Sequence, residues 1–185
     1  MSTRVSLSRK EAFMHFLKND ELDISVRWLI RRDLLEAIAI ENNSFEDPID
    51  EQEMIDLLRQ RNIAGVVAEK DSLILGFMIY ELNKSSFHLA HLAVAKECRR
   101  AKIGSKLVQY LEQKLSCNRR YLIVVNVPET NLGAQLFFKS LGFKASYIDY
   151  RLPEPEYQMI YEVSKDYFKE LSLMEILEKR NGISL

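Results

Sequence analysis

His91-Leu92-Ala93-Val94, followed after four residues by Arg99-Arg100-Ala101-Lys102-Ile103-Gly104-Ser105, decides the fold. The order is an apolar strand, a basic turn, and a helix that opens at a glycine. The first N–H groups of a helix have no partner within it, and the helix dipole adds partial positive charge there. Two arginines and a lysine on the turn reinforce the attraction for a diphosphate. Gly104 permits close approach to the backbone. The spacing predicts a helix from Ile103 to about Ser116, with Leu107, Val108, Leu111 and Leu115 on one apolar face. The stretch has neither the Gly-x-x-x-x-Gly-Lys-Ser/Thr of a P-loop nor the Gly-x-Gly-x-x-Gly of a dinucleotide fold.

Outward from this stretch, the pattern predicts a strand over 25–30 and a helix over 33–42 capped by Asp33, with Leu34, Leu35, Ile38 and Ala39 inward. A polar loop over 42–50 leads to a helix over 51–61. Strands over 65–70 and 73–82 form a hairpin around Asp71-Ser72, and a strand over 87–94 enters the basic turn. Beyond the central helix come a strand over 121–127, a helix over 131–141 that stops at Gly142, and strands over 144–151 and 157–163 joined by a Pro-Glu-Pro loop. Ser8-Arg9-Lys10-Glu11 has the capping-box form, and Phe13, Phe16 and Leu17 follow on one face, which predicts a short N-terminal helix. A final helix is expected over 165–180, with a stripe of Tyr167, Phe168, Leu171, Met174 and Leu177. The expected fold class is mixed α/β (α+β), with an early antiparallel run and one central crossover. The domain division is an N-terminal extension over 1–23, a central domain over 24–163 and a C-terminal extension over 164–185.

Composition narrows the function classes. The 185 residues are 47% hydrophobic, ordinary for a packed core, and the formal net charge is -1. A near-neutral chain is no nucleic-acid scaffold, so any anion site is local. No apolar run reaches the ~18–20 residues of a membrane span, and the first twenty residues lack the apolar core of a secretory signal. The expectation is a cytoplasmic protein with no membrane and no nucleic-acid partner. Cys98 and Cys117 flank the central helix, about 20 Å apart at the helical rise, too far for a disulfide. Cys98, beside a helix N-terminus, is either an activated thiol or an inert turn residue. No cluster has metal-ligand spacing, so no metal site is expected.

Four segments together resemble one family. Ile40-Glu41-Asn42-Asn43-Ser44-Phe45, Leu92-Ala93-Val94, Arg99-Arg100-x-x-Ile103-Gly104-Ser105, and Asn131-x-x-Ala134 ahead of Gly142-Phe143 resemble the motifs of the GNAT superfamily of acetyl-CoA-dependent N-acetyltransferases. Within it, the pattern is most similar to bacterial ribosomal-protein-alanine N-terminal acetyltransferases. The resemblance covers about residues 24–163. It implies the GNAT fold: a mixed, mostly antiparallel sheet with a splayed parallel pair, helices on both faces, and here an added helix at each end. It also implies acetyl-CoA as co-substrate, with Leu92, Ala93 and Val94 meeting the pantetheine arm. Arg100, Ala101, Lys102, Ile103, Gly104 and Ser105 would wrap the pyrophosphate, Arg99 would belong to the same cofactor-binding segment, and Asn131 would hydrogen-bond the cofactor.

Three positions depart from the family pattern. The first motif glycine is Lys102, expected to sit at ordinary φ. The strand position where relatives carry a Glu or His base is Asn126. The position that often carries a thiolate-facing Tyr is Phe138. The implied reaction is direct attack by a neutral amine on the thioester in a ternary complex. An α-amino group of pKa about 8 is about a quarter neutral at pH 7.5, whereas a lysine amine of pKa about 10.4 is ~0.1% neutral. A site without a strong base therefore suits a protein or peptide N-terminus. His88 is the candidate replacement base; His91, on the opposite face by strand alternation, is read as a packing residue. Glu81 and Glu129 are weaker candidates. Phe45, Glu46 and Tyr150 are the candidate acceptor contacts, on two loops whose acidic residues Glu46, Asp47, Asp50, Glu154 and Glu156 would attract a cationic amine. Two alternatives stay open: a small-amine or polyamine acetyltransferase, and a catalytically weak acyl-CoA-binding sensor or scaffold. The terminal helices are candidates for a homodimer contact.

Overall fold

The computed structural model describes residues 24–116, 119–151 and 153–163. The predicted terminal helices and Cys117 lie outside the described residues. Seven strands form one sheet in the order β1-β2-β3-β4-β5-β7-β6: β1 is Ser25–Trp28, β2 Ile63–Lys70, β3 Leu73–Leu82, β4 Ser86–Val94, β5 Leu122–Pro128, β6 Lys144–Asp149 and β7 Glu156–Glu162. The helices are α1, Leu34–Asn42, α2, Glu51–Leu58, α3, Ile103–Glu112, and α4, Leu132–Ser140. This is the predicted element order. β4 and β5 are parallel, while the ladders β1·β2, β2·β3, β5·β7 and β6·β7 are antiparallel. No helix among the described residues is long and apolar enough to cross a membrane.

Two compact units divide the chain. Among the described residues, the first comprises 24–81 and 90–110. Its hairpin turns through Asp71 and Ser72 at φ 50° and 65°, the left-handed pair that suits the right-handed twist of two strands. Leu34, Ala37 and Ile40 of α1 and Met54 of α2 pack with Val67, Ile74, Phe77, Ile79 and Ala93 of the strands. The inward face of α1 is thus Leu34–Ala37–Ile40–Glu41, and Leu35 is 73% exposed. That corrects the predicted Leu35/Ala39 phase by about one residue: a 3-10 turn at Arg31–Asp33 starts the coil early and rotates the helix. Asp33 makes no side-chain cap to α1. Its carboxylate instead accepts from Ile30 N at 2.9 Å and from Arg27, which also donates to Glu69. α2 ends at Leu58 and α3 at Glu112, both shorter than predicted.

Among the described residues, the second unit comprises 82–89, 111–116, 119–151 and 153–163. Here the parallel ladder pairs Ser86–Leu89 with Leu122–Val125, and β4 and β5 each continue past it. α4 begins after Asn131, whose Oδ1 accepts from Ala134 N at 3.0 Å, and it stops where Gly142 takes φ 92°. Phe138 and Phe143 meet edge to face at 5.1 Å, and Phe143 continues to Tyr161 at 5.5 Å.

Candidate active site

The site is assembled from the end of β4 forward. The buried residues of β4 alternate at Phe87, Leu89 and Ala93, which turns His91 toward the α1 face. A 3-10 turn at Lys96–Cys98 follows, and Cys98 N donates to Ala95 O at 2.8 Å. The chain then passes through Arg100 at φ 70° and Lys102 at φ 59° before α3 begins. Lys102 therefore does not sit at ordinary φ, contrary to the sequence expectation. The family glycine position needs left-handed backbone here. Left-handed residues on both sides of Ala101 fold the turn tightly against the helix start, the kind of alternation that gathers N–H groups into an anion-binding concavity. Within α3 the first N–H to find a carbonyl four residues back is Lys106, bonded to Lys102 O at 3.0 Å. The N–H groups of Ile103, Gly104 and Ser105 precede it and point into the turn.

Gly76 of β3 holds the strand end in place, a role the sequence reading missed. A Cβ there would stand 2.7 Å from Ala93 O and 3.2 Å from Val94 Cα. Only a residue without a side chain lets β3 run this close to the Leu92–Val94 backbone. Ala95 N continues the contact, donating to Leu75 O at 2.9 Å.

Arg99 is engaged within the chain. Its Nε donates to Val94 O and its Nη2 to Ser44 Oγ, both at 3.2 Å. Cys98 is 2% exposed, and burial pushes its thiol up to about 11, so it is an inert turn residue. Phe45 is 38% exposed and lies edge-on to the His91 ring at 5.9 Å. His91 is more than a packing residue: its Nδ1 lies 3.3 Å from Oε1 of Glu41, which is 1% exposed. Sequence reasoning missed Glu41. The signal was available, since Glu41 continues the Leu34–Ala37 face one helical repeat on, where a carboxylate must be buried.

The acidic loops are less open than expected. Asp50 caps α2, accepting from Glu53 N at 2.8 Å while Glu53 reaches back to Asp50 N at 2.8 Å. Glu154 accepts from Thr130, and Glu81 accepts from Asn62 at 2.8 Å. Glu46 and Asp47 remain exposed. In the second unit, His88 is half-buried opposite Val124. Asn126 is exposed, paired with Gln158. Tyr150 is 69% exposed and Phe138 is buried at 4%. No cluster of metal-ligating side chains occurs among the described residues.

These features agree with the comparisons to known proteins. Residues 35–151 match the acetyltransferase (GNAT) domain family, and the chain belongs to it. A curated relative, an uncharacterized N-acetyltransferase of Methanocaldococcus jannaschii, is 28% identical over 123 residues, 64% of this chain and 77% of the relative. Among solved structures, a ribosomal-protein alanine N-acetyltransferase from Escherichia coli superposes with TM-score 0.67 at 20% identity, over 76% of this chain and 94% of that one. The PaiA N-acetyltransferase of Thermoplasma acidophilum, solved with coenzyme A, gives TM-score 0.67 at 18% identity, over 77% and 100%. The protein is thus a GNAT-type N-acetyltransferase whose co-substrate is acetyl-CoA. The chain's own donors fit that molecule's anionic end. The left-handed turn at Arg100 and Lys102 and the first N–H groups of α3, which have no partner within the helix, form a backbone donor set of the kind that takes phosphate.

Proposed function

We propose that this enzyme transfers acetyl to the α-amino group of a peptide or protein. Acetyl-CoA supplies the activated acetyl thioester. The chain's part is to hold the phosphates on the Arg100–Ser105 turn, to lay the Leu92–Val94 backbone along the pantetheine arm, and to present backbone N–H groups where negative charge develops on the carbonyl oxygen. The observation that carries the choice of acceptor is the amide at Asn126, exposed on β5 where relatives carry a base. Without a base at that position, the site favours an amine that is already partly neutral, and an α-amine is that amine. Phe45 and Glu46, both exposed on the loop after α1, are the proposed acceptor contacts. The alanine N-acetyltransferase likeness points the same way.

A polyamine acceptor is the second reading, carried by the exposed Glu46 and Asp47. It is weakened because Asp50 and Glu154 are engaged within the protein. Thiol release from acetyl-CoA, measured with free-N-terminus peptides, internal-lysine peptides and polyamines, separates the two. Turnover confined to free N-termini supports the proposal, and preferential turnover of lysines or polyamines overturns it. Binding of acetyl-CoA without turnover of any acceptor would favour the sensor reading.

A further inference from the structure

Glu41 stands in the last turns of α1, 1% exposed. Its Oε1 accepts from Ile49 N at 3.4 Å, and its Oε2 is buried with no hydrogen-bond partner. His91 Nδ1, 3.3 Å from Oε1, is likewise buried and without an aligned hydrogen bond. The imidazole nonetheless retains 21% exposure. Nδ1 contributes none of it, so the accessible part of the ring lies away from Glu41. Phe45, on the loop after α1, stands edge-on to that ring at an interplanar angle of 73°. A buried carboxylate with an orphaned oxygen is expensive, and proteins keep one where it has a partner or a task. Here the carboxylate lies behind a histidine, one residue before the Leu92–Val94 strand.

A carboxylate at Nδ1 selects the tautomer with the proton on Nδ1 and leaves the lone pair on Nε2. It also stabilises the imidazolium that forms when Nε2 takes a proton. Of the ionisable groups on neighbouring elements, Glu46 and Asp47 on the loop after α1 are exposed, and three others are engaged or neutral. Arg99 donates to Ser44 and Val94, Glu81 accepts from Asn62, and burial pushes the Tyr80 phenol up to about 12.

We propose that His91 is the general base for the acceptor amine and that Glu41 is the residue that positions it. This deepens the α-amine reading and rests on it. His91 Nε2 takes one proton from the acceptor ammonium, leaving the neutral amine. The amine nitrogen forms the new bond to the acetyl carbon as the carbon–sulfur bond breaks, and the sulfur keeps that electron pair. The second proton leaves nitrogen and ends on the departing thiolate, while the imidazolium returns its proton to solvent. The sum is an acetamide, a free thiol and one proton. The choice of base also explains the acceptor. An α-ammonium, with pKa about 8, gives up its proton to a base far more readily than a lysine ammonium with pKa about 10.4. Long, poorly aligned geometry in the free enzyme is usual for such pairs and tightens when substrate fills the site.

The test uses the full chain and its best acceptor from the panel above. His91→Gln should lower kcat/KM by roughly 10²–10⁴-fold and leave KM for acetyl-CoA within about twofold. Glu41→Gln should fall between the wild type and His91→Gln. Independently of activity, nitrogen-15 NMR of the wild-type histidines, assigned with His88→Gln and His91→Gln, should find the neutral His91 ring protonated at Nδ1. A loss below about threefold in a folded His91→Gln, or an Nε2-protonated ring, overturns the proposal. If His91→Gln does not fold, His91→Asn and the wild-type tautomer decide. Wild-type preference for polyamines or lysines would sink the α-amine reading alone. The same variants on that acceptor would then judge the base.

Discussion

Arg99 Nη2 donates to Ser44 Oγ at 3.2 Å while Nε of the same guanidinium donates to Val94 O at 3.2 Å. One side chain thus ties the loop after α1, which carries Phe45, to the C-terminal end of β4. The elements proposed to bind the two substrates share a fastener within one unit.

Arg99→Ala should therefore disturb the acceptor side more than the co-substrate side. Loss of one such hydrogen bond is worth about 0.5–1.5 kcal/mol, or roughly a two- to twelvefold rise in acceptor KM. Ser44→Ala should reproduce part of the effect, and the double variant should be less than additive. Steady-state kinetics with each substrate varied in turn will measure this. A rise in acetyl-CoA KM alone would mean that Arg99 serves the phosphates and its bond to Ser44 is incidental.

Lys102 at φ 59° sets a second expectation. A left-handed non-glycine residue costs about 1–2 kcal/mol, and replacing it by glycine gives part of that back to chain entropy. Lys102→Gly should raise Tm by a few degrees, since 1 kcal/mol corresponds to about 2–4 °C at this size. The same change removes a cation from the phosphate turn and should weaken acetyl-CoA binding severalfold. Calorimetry paired with a coenzyme A titration reads both signs. A lower Tm would show that contacts of the lysine side chain outweigh the backbone strain.

Gly76→Ala tests how tightly β3 and the end of β4 are packed. The added Cβ would meet Ala93 O at 2.7 Å, backbone that moves only if the strand moves. Overpacking of this kind costs about 1–3 kcal/mol, and the displaced segment is the Leu92–Val94 strand. Lower stability should appear together with a raised acetyl-CoA KM. Unchanged co-substrate kinetics would show that the strand end tolerates displacement.

The element order, the parallel crossover and the basic turn were legible because each rests on local pattern: alternation in β4, the left-handed Asp71-Ser72 hairpin, the apolar stripe of α3, the cap at Asn131. What escaped the sequence depends on through-space neighbours. Nothing local says that Asp33 will pair with Arg27 rather than cap α1, that Arg99 will reach Ser44, or that Gly76 faces the Ala93 carbonyl. Lys102 was misjudged because a lysine there says nothing of φ until the neighbouring turn is fixed. Glu41 was the legible omission, as a carboxylate in the phase of the buried face.

Cys98 offers a check on the turn itself. With its thiol pushed up to about 11 by burial, only about 0.1% is thiolate at pH 8. Iodoacetamide under native conditions, followed by peptide-resolved mass spectrometry, should leave Cys98 unmodified until the protein is unfolded. Rapid native labelling would mean that the turn opens.

The Arg27–Asp33–Glu69 cluster sets the acid limit of the first unit. Asp33 is 3% exposed, and its bond to Arg27 holds its carboxyl below the usual range. A carboxyl whose folded pKa is depressed adds stability above its unfolded value, about pH 4, and that stability is lost as pH falls through the folded value. Asp33→Asn should cost about 2–4 kcal/mol at neutral pH, the upper end limited by the partial exposure of Arg27. The gap between wild type and variant should stay level from neutral pH down to about pH 5 and close below it. Urea melts at a series of pH values give both curves. A gap that persists undiminished at low pH would assign the loss to packing around Asp33 instead of its charge.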